Sequence, residues 1–175
     1  MIKTIALVVV LLIAAVLIFA ATRPDTFRVQ RATSIKAPPE KIFPFINDFQ
    51  RWGRWSPWEK LDPALKRSYS GPASGKGAVY AWQGNNDVGH GRMEIAESSA
   101  PSRVVIKLDF LKPFEAHNIA EYTLEKQGDA TNVTWAMHGP SPYLAKLFGV
   151  FCSMDSMVGT KFEEGLANLK ALAEK

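Results

Sequence analysis

Cysteine is almost absent: Cys152 stands alone in a chain of 175 residues, so no intrachain disulfide can form and a disulfide-stapled scaffold is excluded. Histidine is scarce as well. His90, His117, His138 and Cys152 show neither H-x-x-x-H nor C-x-x-C spacing, so no metal site is expected. Also missing are a G-x-S-x-G elbow, a papain-like cysteine setting and a Walker loop, which removes the recognisable nucleophile and phosphate-binding classes. Gly84 to Gly91 lies between strand-like segments and reads as a hairpin, not a phosphate loop. No cofactor is expected. Basic residues exceed acidic ones by only 21 to 17, and the two signs are interspersed, so no nucleic-acid partner is implied. No internal repeat or low-complexity stretch is present.

One absence is confined to the start of the chain. From Thr4 to Thr22 there is no charged residue, and Ile5 to Ala21 is an unbroken apolar run. That length reaches the roughly 20 residues needed to cross a hydrocarbon core of about 30 Å. The competing reading is a cleavable signal peptide, with Lys3 as its basic start and Ala20-Ala21 near a cleavage site. The apolar run is longer than a usual signal core, and cleavage there would set bulky Ile18 or Phe19 where a small residue is preferred. Residues 1–22 are therefore expected to be a single-pass anchor, touching the membrane through residues 4–22. Arg23, Arg28, Arg31 and Lys36 follow the span closely and count toward a cytoplasmic domain. A tail as short as Met1–Lys3 is often translocated for other reasons, so the side is left open.

Residues 23–175 then form one domain of about 150 residues, a common size for a single full core. Phe27 to Lys36 is rich in β-branched residues and reads as a first strand. Pro38-Pro39-Glu40 opens a helix whose apolar face is Ile42, Phe45, Ile46 and Phe49, kinked or cut short by Pro44. Trp52, Trp55 and Trp58 fall three residues apart, the spacing of a tight helical turn; they either pack helix onto sheet or wall a pocket. Strands are predicted near 65–70, 78–83, 91–97, 103–110, 116–126 and 132–138, joined by short turns in an antiparallel meander. Alternation puts Val104, Ile106, Leu108 and Phe110 on the buried face, with Asn118, Ala120, Tyr122 and Leu124, and with Val133, Trp135 and Met137. Glu94, Glu115, His117, Glu121 and His138 then point outward. After Gly139-Pro140 the period becomes helical from Leu144 to Leu172, predicting one long helix with a break near Gly159.

The segments Ser34-Ile35-Lys36-Ala37-Pro38-Pro39-Glu40-Lys41-Ile42-Phe43, Ile46-Asn47-Asp48-Phe49 with Trp52, and Trp55-Ser56-Pro57-Trp58 carry a resemblance. So do Gly91-Arg92-Met93-Glu94-Ile95 and Phe162 through Lys170. They resemble the membrane-anchored members of the SRPBCC, or START-like, superfamily that are often labelled polyketide cyclase/dehydrase. The resemblance implies an α+β helix-grip fold of the Bet v 1 kind: a curved antiparallel seven-stranded sheet around a long C-terminal helix, here preceded by the transmembrane helix. It also implies a deep, mostly apolar cavity between sheet and helix. Concave sheets are common ligand sites, and methionine adapts to irregular shapes. The expected lining is Met93, Ile106, Phe110, Asn118, Tyr122, Trp135, Met137, Phe151, Met154 and Phe162, with Met157 nearby.

Membrane-anchored binding of a hydrophobic or amphipathic small molecule, such as a lipid or isoprenoid from the adjacent bilayer, is the function this combination implies. Two other classes remain. A cyclase or dehydratase acting on an aromatic substrate would need a polar pair inside the cavity, where Asn118 and Tyr122 are the available groups. A protein-binding stress adaptor would need an exposed apolar patch.

Overall fold

Alternation along Thr26–Ile35 puts buried Val29 and Ile35 on one face with half-buried Phe27, Arg31 and Thr33, while Arg28, Gln30, Ala32 and Ser34 face outward, and this segment forms the edge strand β1 of the sheet. The computed structural model describes all residues from Met1 to Lys175. Helix α1 (Ile2–Ala21) precedes β1, and α2 (Pro39–Asn47) follows it. Two 3-10 turns, Phe49–Arg54 and Pro57–Lys60, lead into β2 (Lys66–Ser70), β3 (Val79–Gln83), β4 (His90–Ser99), β5 (Arg103–Lys112), β6 (Ala116–Gln127) and β7 (Ala130–Pro140). Helices α3 (Tyr143–Gly149) and α4 (Met154–Ala173) complete the chain. The seven strands form one antiparallel sheet in the order β1-β7-β6-β5-β4-β3-β2. Register irregularities in β4, at His90/Gly91 and Ile95/Glu97, are the bulges that increase twist and let such a sheet curl.

Helix α2 is short, nine residues, with Pro44 inside it, and buries Phe43 as well as Ile42 and Ile46. The last carbonyls of a helix lack intrahelical donors. Here two indoles supply them: Trp52 Nε1 donates to Ile46 O at 3.0 Å and Trp55 Nε1 donates to Phe45 O at 2.9 Å. Trp55 in turn offers its carbonyl to Asn168 Nδ2 of α4, at 3.0 Å. Trp52 and Trp55 thus pin α2, the first 3-10 turn and α4 together over the sheet.

The C-terminal helical stretch departs from expectation in where it breaks. Its two helices are separated at residues 150–153, and Gly159 lies inside α4. Ser153 is the cause: its Oγ accepts from the Ser156 backbone N–H at 3.1 Å, capping a new helix that carries Asp155 in its first turn. Gly159 has a different task. Arg31 of β1 reaches Asp155 at 2.8 Å and Glu163 at 2.6 Å, and a Cβ on Gly159 would lie 2.2 Å from the Arg31 guanidinium. The glycine is a notch through which one arginine ties two turns of α4 to the sheet edge.

Candidate functional site

Tyr122 of β6 and Trp135 of β7 are partners in the antiparallel register, so their side chains emerge together on the concave face. Their rings stack with centroids 5.0 Å apart. Trp135 is covered from the other side by Phe162 of α4, nearly parallel to it at 4.1 Å. Gly165 permits this approach: a Cβ there would come 2.8 Å from Trp135 Cζ3. Trp52 and Trp55 meet Tyr122 edge-on, and Trp58 meets Trp135 and Phe162 in the same way. Such offset and edge arrangements complement the ring quadrupoles.

Within this aromatic interior two donors have no acceptor among the protein groups, the Tyr122 hydroxyl and Trp135 Nε1. A buried donor without a partner carries a desolvation cost of about 1–3 kcal/mol. Burial also pushes the Tyr122 hydroxyl well above its ordinary pKa, so it stays a neutral donor at any physiological pH. Toward the end of the sheet where β1 starts, Asn118 lies on the same face as Tyr122, buried beside Gly139, whose missing Cβ makes room for Asn118 Oδ1. Around Asn118's end of the core the apolar side chains are only half-buried: Phe27, Leu108, Phe110, Met154 and Val158. The opposite end is closed by fully buried Ile35, Val133 and Leu169.

The expected lining residues divide accordingly. Met93, Ile106, Tyr122, Trp135, Met137 and Phe162 are brought together in one buried cluster, and Asn118 sits at its margin. Phe110 and Met154 pack against that cluster from the half-exposed end. Phe151 does not join it: it stands exposed in the α3–α4 connection, after α3 has ended at Gly149 and before Ser153 caps α4. Met157 is exposed too, in the first turn of α4. The implied deep cavity is corrected at its centre, where the Trp135–Phe162 stack occupies the space between sheet and α4. Two surface clefts of about 230 and 290 Å³ lie elsewhere, along the β2–β3 side; the first is lined in part by Phe49, Tyr69 and Val79, the second by Asp62, Gln83 and His90. Reasoning from sequence missed the contributions of Gly165 and Gly139. A glycine at a helical core position was the available signal for the first.

The acids expected to point outward, Glu94, Glu115 and Glu121, do so: Glu94 pairs with Arg92 at 2.6 Å, Glu121 with Arg103 at 2.7 Å, and Glu115 lies 3.3 Å from His117. On the same face Asp109 pairs with His117 at 2.8 Å. Hydrogen bonding to Asp109 holds the His117 pKa above its ordinary value, against a smaller desolvation effect. Two carboxylates are buried elsewhere: Glu59 accepts from Tyr80 Oη and from Arg67 Nε, each at 2.6 Å, beneath the β2–β3 hairpin, and Asp62 accepts from the Ala64 and Asn85 backbone N–H groups at 2.8 and 2.7 Å. No three His, Cys, Asp or Glu side chains converge as a set of metal ligands.

Comparison with known proteins places this geometry in a wider group. Residues 26–174 match the family described as polyketide cyclase/dehydrase and lipid transport. No curated protein matches the chain. Among solved structures, the di-domain ARO/CYC BexL from the BE-7585A biosynthetic pathway is 16% identical, with a TM-score of 0.64 over 90% of this chain and 53% of its own. Major latex-like protein 151 from Panax ginseng is 12% identical, with a TM-score of 0.62 over 87% of this chain and 100% of its own. The Aha1 dimer from Colwellia psychrerythraea is 19% identical, with a TM-score of 0.57 over 85% of this chain and 96% of its own. At these identities the likeness is one of fold.

Proposed function

Because the chain belongs to the polyketide cyclase/dehydrase and lipid transport family over residues 26–174, we propose that it is a membrane-anchored binder of a hydrophobic or amphipathic small molecule. The observation that carries this reading is the pair of unpartnered donors, Tyr122 Oη and Trp135 Nε1, at the centre of an otherwise apolar, ring-lined interior. A lipid-like ligand whose polar group reached either donor would satisfy it, and its apolar part would have to displace the Trp135–Phe162 stack that fills the centre. Its way in would be the half-buried end around Asn118, Phe110 and Met154, where side chains have room to part. Helix α1 is long and apolar enough to span a membrane, which would hold the interior beside a reservoir of such molecules.

The enzyme reading has less support. A cyclase or dehydratase needs a base beside the reacting atoms, whereas Glu94, Glu121 and Asp109 are engaged with Arg92, Arg103 and His117 on the other face, and Tyr122 remains protonated. The test is native mass spectrometry of the full-length protein after it has been incubated with cellular lipid extract and washed in detergent. A stoichiometric adduct that survives washing, and that is retained less well by Tyr122→Phe, is expected. Failure to retain any lipid, with Tyr122→Phe indistinguishable from the native chain, would overturn the proposal.

A further inference from the structure

Outside α1, exposed large apolar side chains are concentrated at one end of the domain. Tyr143, Leu144, Phe148 and Phe151 belong to α3 and its C-terminal connection, and the last three are 67%, 69% and 78% exposed. Leu111 and Phe114 project from the β5–β6 hairpin, 57% and 78% exposed. Register places this hairpin at the same end: Thr26 pairs with Pro140 where β1 begins and β7 ends, and Ile119 near the start of β6 pairs with His138. Apart from Met1 at the start of α1, the remaining two are Met157, in the first turn of α4 just beyond α3, and Tyr69, which stacks on Tyr80 at the β2 edge.

This end is also where α1 leaves the domain, and α3 packs directly against it. The Tyr143 hydroxyl donates to Leu17 O at 3.1 Å, and Lys146 forms an ion pair with Asp25 in the α1–β1 linker. Leu17 is four residues before the last residue of α1, which at 1.5 Å per residue is about 6 Å inside the end of the helix. A side chain bonded there sits alongside the span and not above it. Leu147, one helical turn after Tyr143, is half-buried, whereas Leu144, Phe148 and Phe151 are exposed and lie outside the core.

We infer that α3 and the Phe151 connection, with Phe114 from the neighbouring hairpin, form a second membrane contact that embeds this end of the domain in the interfacial layer of the bilayer spanned by α1. The inference rests on α1 being a membrane span. Continuity fixes the occupant: a surface that begins at the depth of Leu17 meets lipid before it can meet a soluble partner. Its composition agrees, with Tyr143 at the level where tyrosines gather in membrane proteins, Lys146 nearby, and leucine and phenylalanine facing outward. A large apolar patch of this kind on a soluble surface marks an interaction site.

The single cysteine provides the test, since Cys152 is exposed and adjoins Phe151. The full-length protein, labelled at Cys152 with the fluorophore NBD, is reconstituted into phosphatidylcholine/phosphatidylglycerol vesicles, with or without lipids carrying a nitroxide high on the acyl chain. Two comparison proteins carry the label elsewhere: Cys152→Ser with Asp129→Cys, in the far β6–β7 turn, and Cys152→Ser with Ile13→Cys, in the middle of α1. Expected are a blue-shifted emission at 152 that nitroxide lipids quench, an unshifted and unquenched emission at 129, and a lipid-buried label at 13. Adding Phe148→Asp and Phe151→Asp should return the label at 152 to an aqueous spectrum while leaving 13 unchanged. A label buried at 13 but aqueous at 152 overturns the second contact alone. A label at 152 that is shifted yet insensitive to nitroxide lipid reports a protein partner and overturns it equally. An aqueous label at 13 overturns the span and this inference together.

Discussion

Tyr122 and Trp135 face each other across β6 and β7 with their rings stacked at 5.0 Å, and each holds a buried donor that no protein group accepts. In the ligand-free protein this costs stability. Tyr122→Phe is therefore expected to raise the unfolding free energy by about 1 kcal/mol, because the ring stays and the desolvated hydroxyl goes. Urea denaturation of the two proteins in detergent would show it. A destabilised variant would mean that the hydroxyl is satisfied in the resting state.

Packing of α4 onto the sheet depends on ring contact at Trp135. Phe162→Ala should cost about 3–5 kcal/mol, the usual range for losing a buried aromatic ring. Gly165→Ala should be destabilising by about 1–2 kcal/mol despite the better helix propensity of alanine, since its methyl meets Trp135 Cζ3 at 2.8 Å and Pro57 Cδ at 3.2 Å. Gly53→Ala, with open space around the new methyl, is the matched control and should be close to neutral. Thermal melts of the three variants would rank them.

Glu59 is a buried acid held by two side-chain donors, Arg67 Nε and Tyr80 Oη. Glu59→Gln weakens the bond from Arg67 Nε and replaces the charged acceptor of Tyr80 Oη, so a loss of about 1–3 kcal/mol is expected. Arg67 is partly exposed, which keeps the figure at the lower part of that range. Denaturation monitored by tryptophan fluorescence gives the value.

His117 supplies a pH dependence of defined sign. Its folded pKa lies above the ordinary 6.5, first because of the hydrogen bond to Asp109 and further through Asp109's charge and the weaker contact to Glu115. The protonated form is favoured by folding, so this contribution is complete below about pH 6.5 and disappears as pH rises through the folded pKa. NMR titration should place the His117 midpoint above 6.5, and Asp109→Asn should bring it down. A midpoint unchanged by Asp109→Asn would rule out the hydrogen bond as the cause.

The strands and their buried faces were legible in the sequence because period-two alternation depends only on neighbours along the chain. Asn118, Ala120, Tyr122 and Leu124 all lie on the buried side of β6 as the alternation required. What was not legible depended on contacts between distant segments. Gly159 looked like a helix breaker; it is the seat of Arg31, which is 128 positions earlier. Phe151 continued a helical apolar stripe, yet it falls between the end of α3 at Gly149 and the Ser153 cap of α4, with its ring outside the core. Filling of the centre by Trp135 and Phe162 followed from Gly165, whose value as a contact point appears only when the helix is laid on the sheet. Alternation gives each strand its faces, but it is silent on how closely an opposing helix can settle.

Only residues 22–25 separate the end of α1 from the start of β1. Fully stretched, such a segment reaches about 14 Å, and the Lys146–Asp25 ion pair shortens it further. With α1 in a bilayer, the domain is on a leash shorter than its own radius. It cannot ferry cargo across an aqueous gap as a free carrier would. On the proposed function, its ligands would reach it by diffusing within the leaflet that α1 occupies.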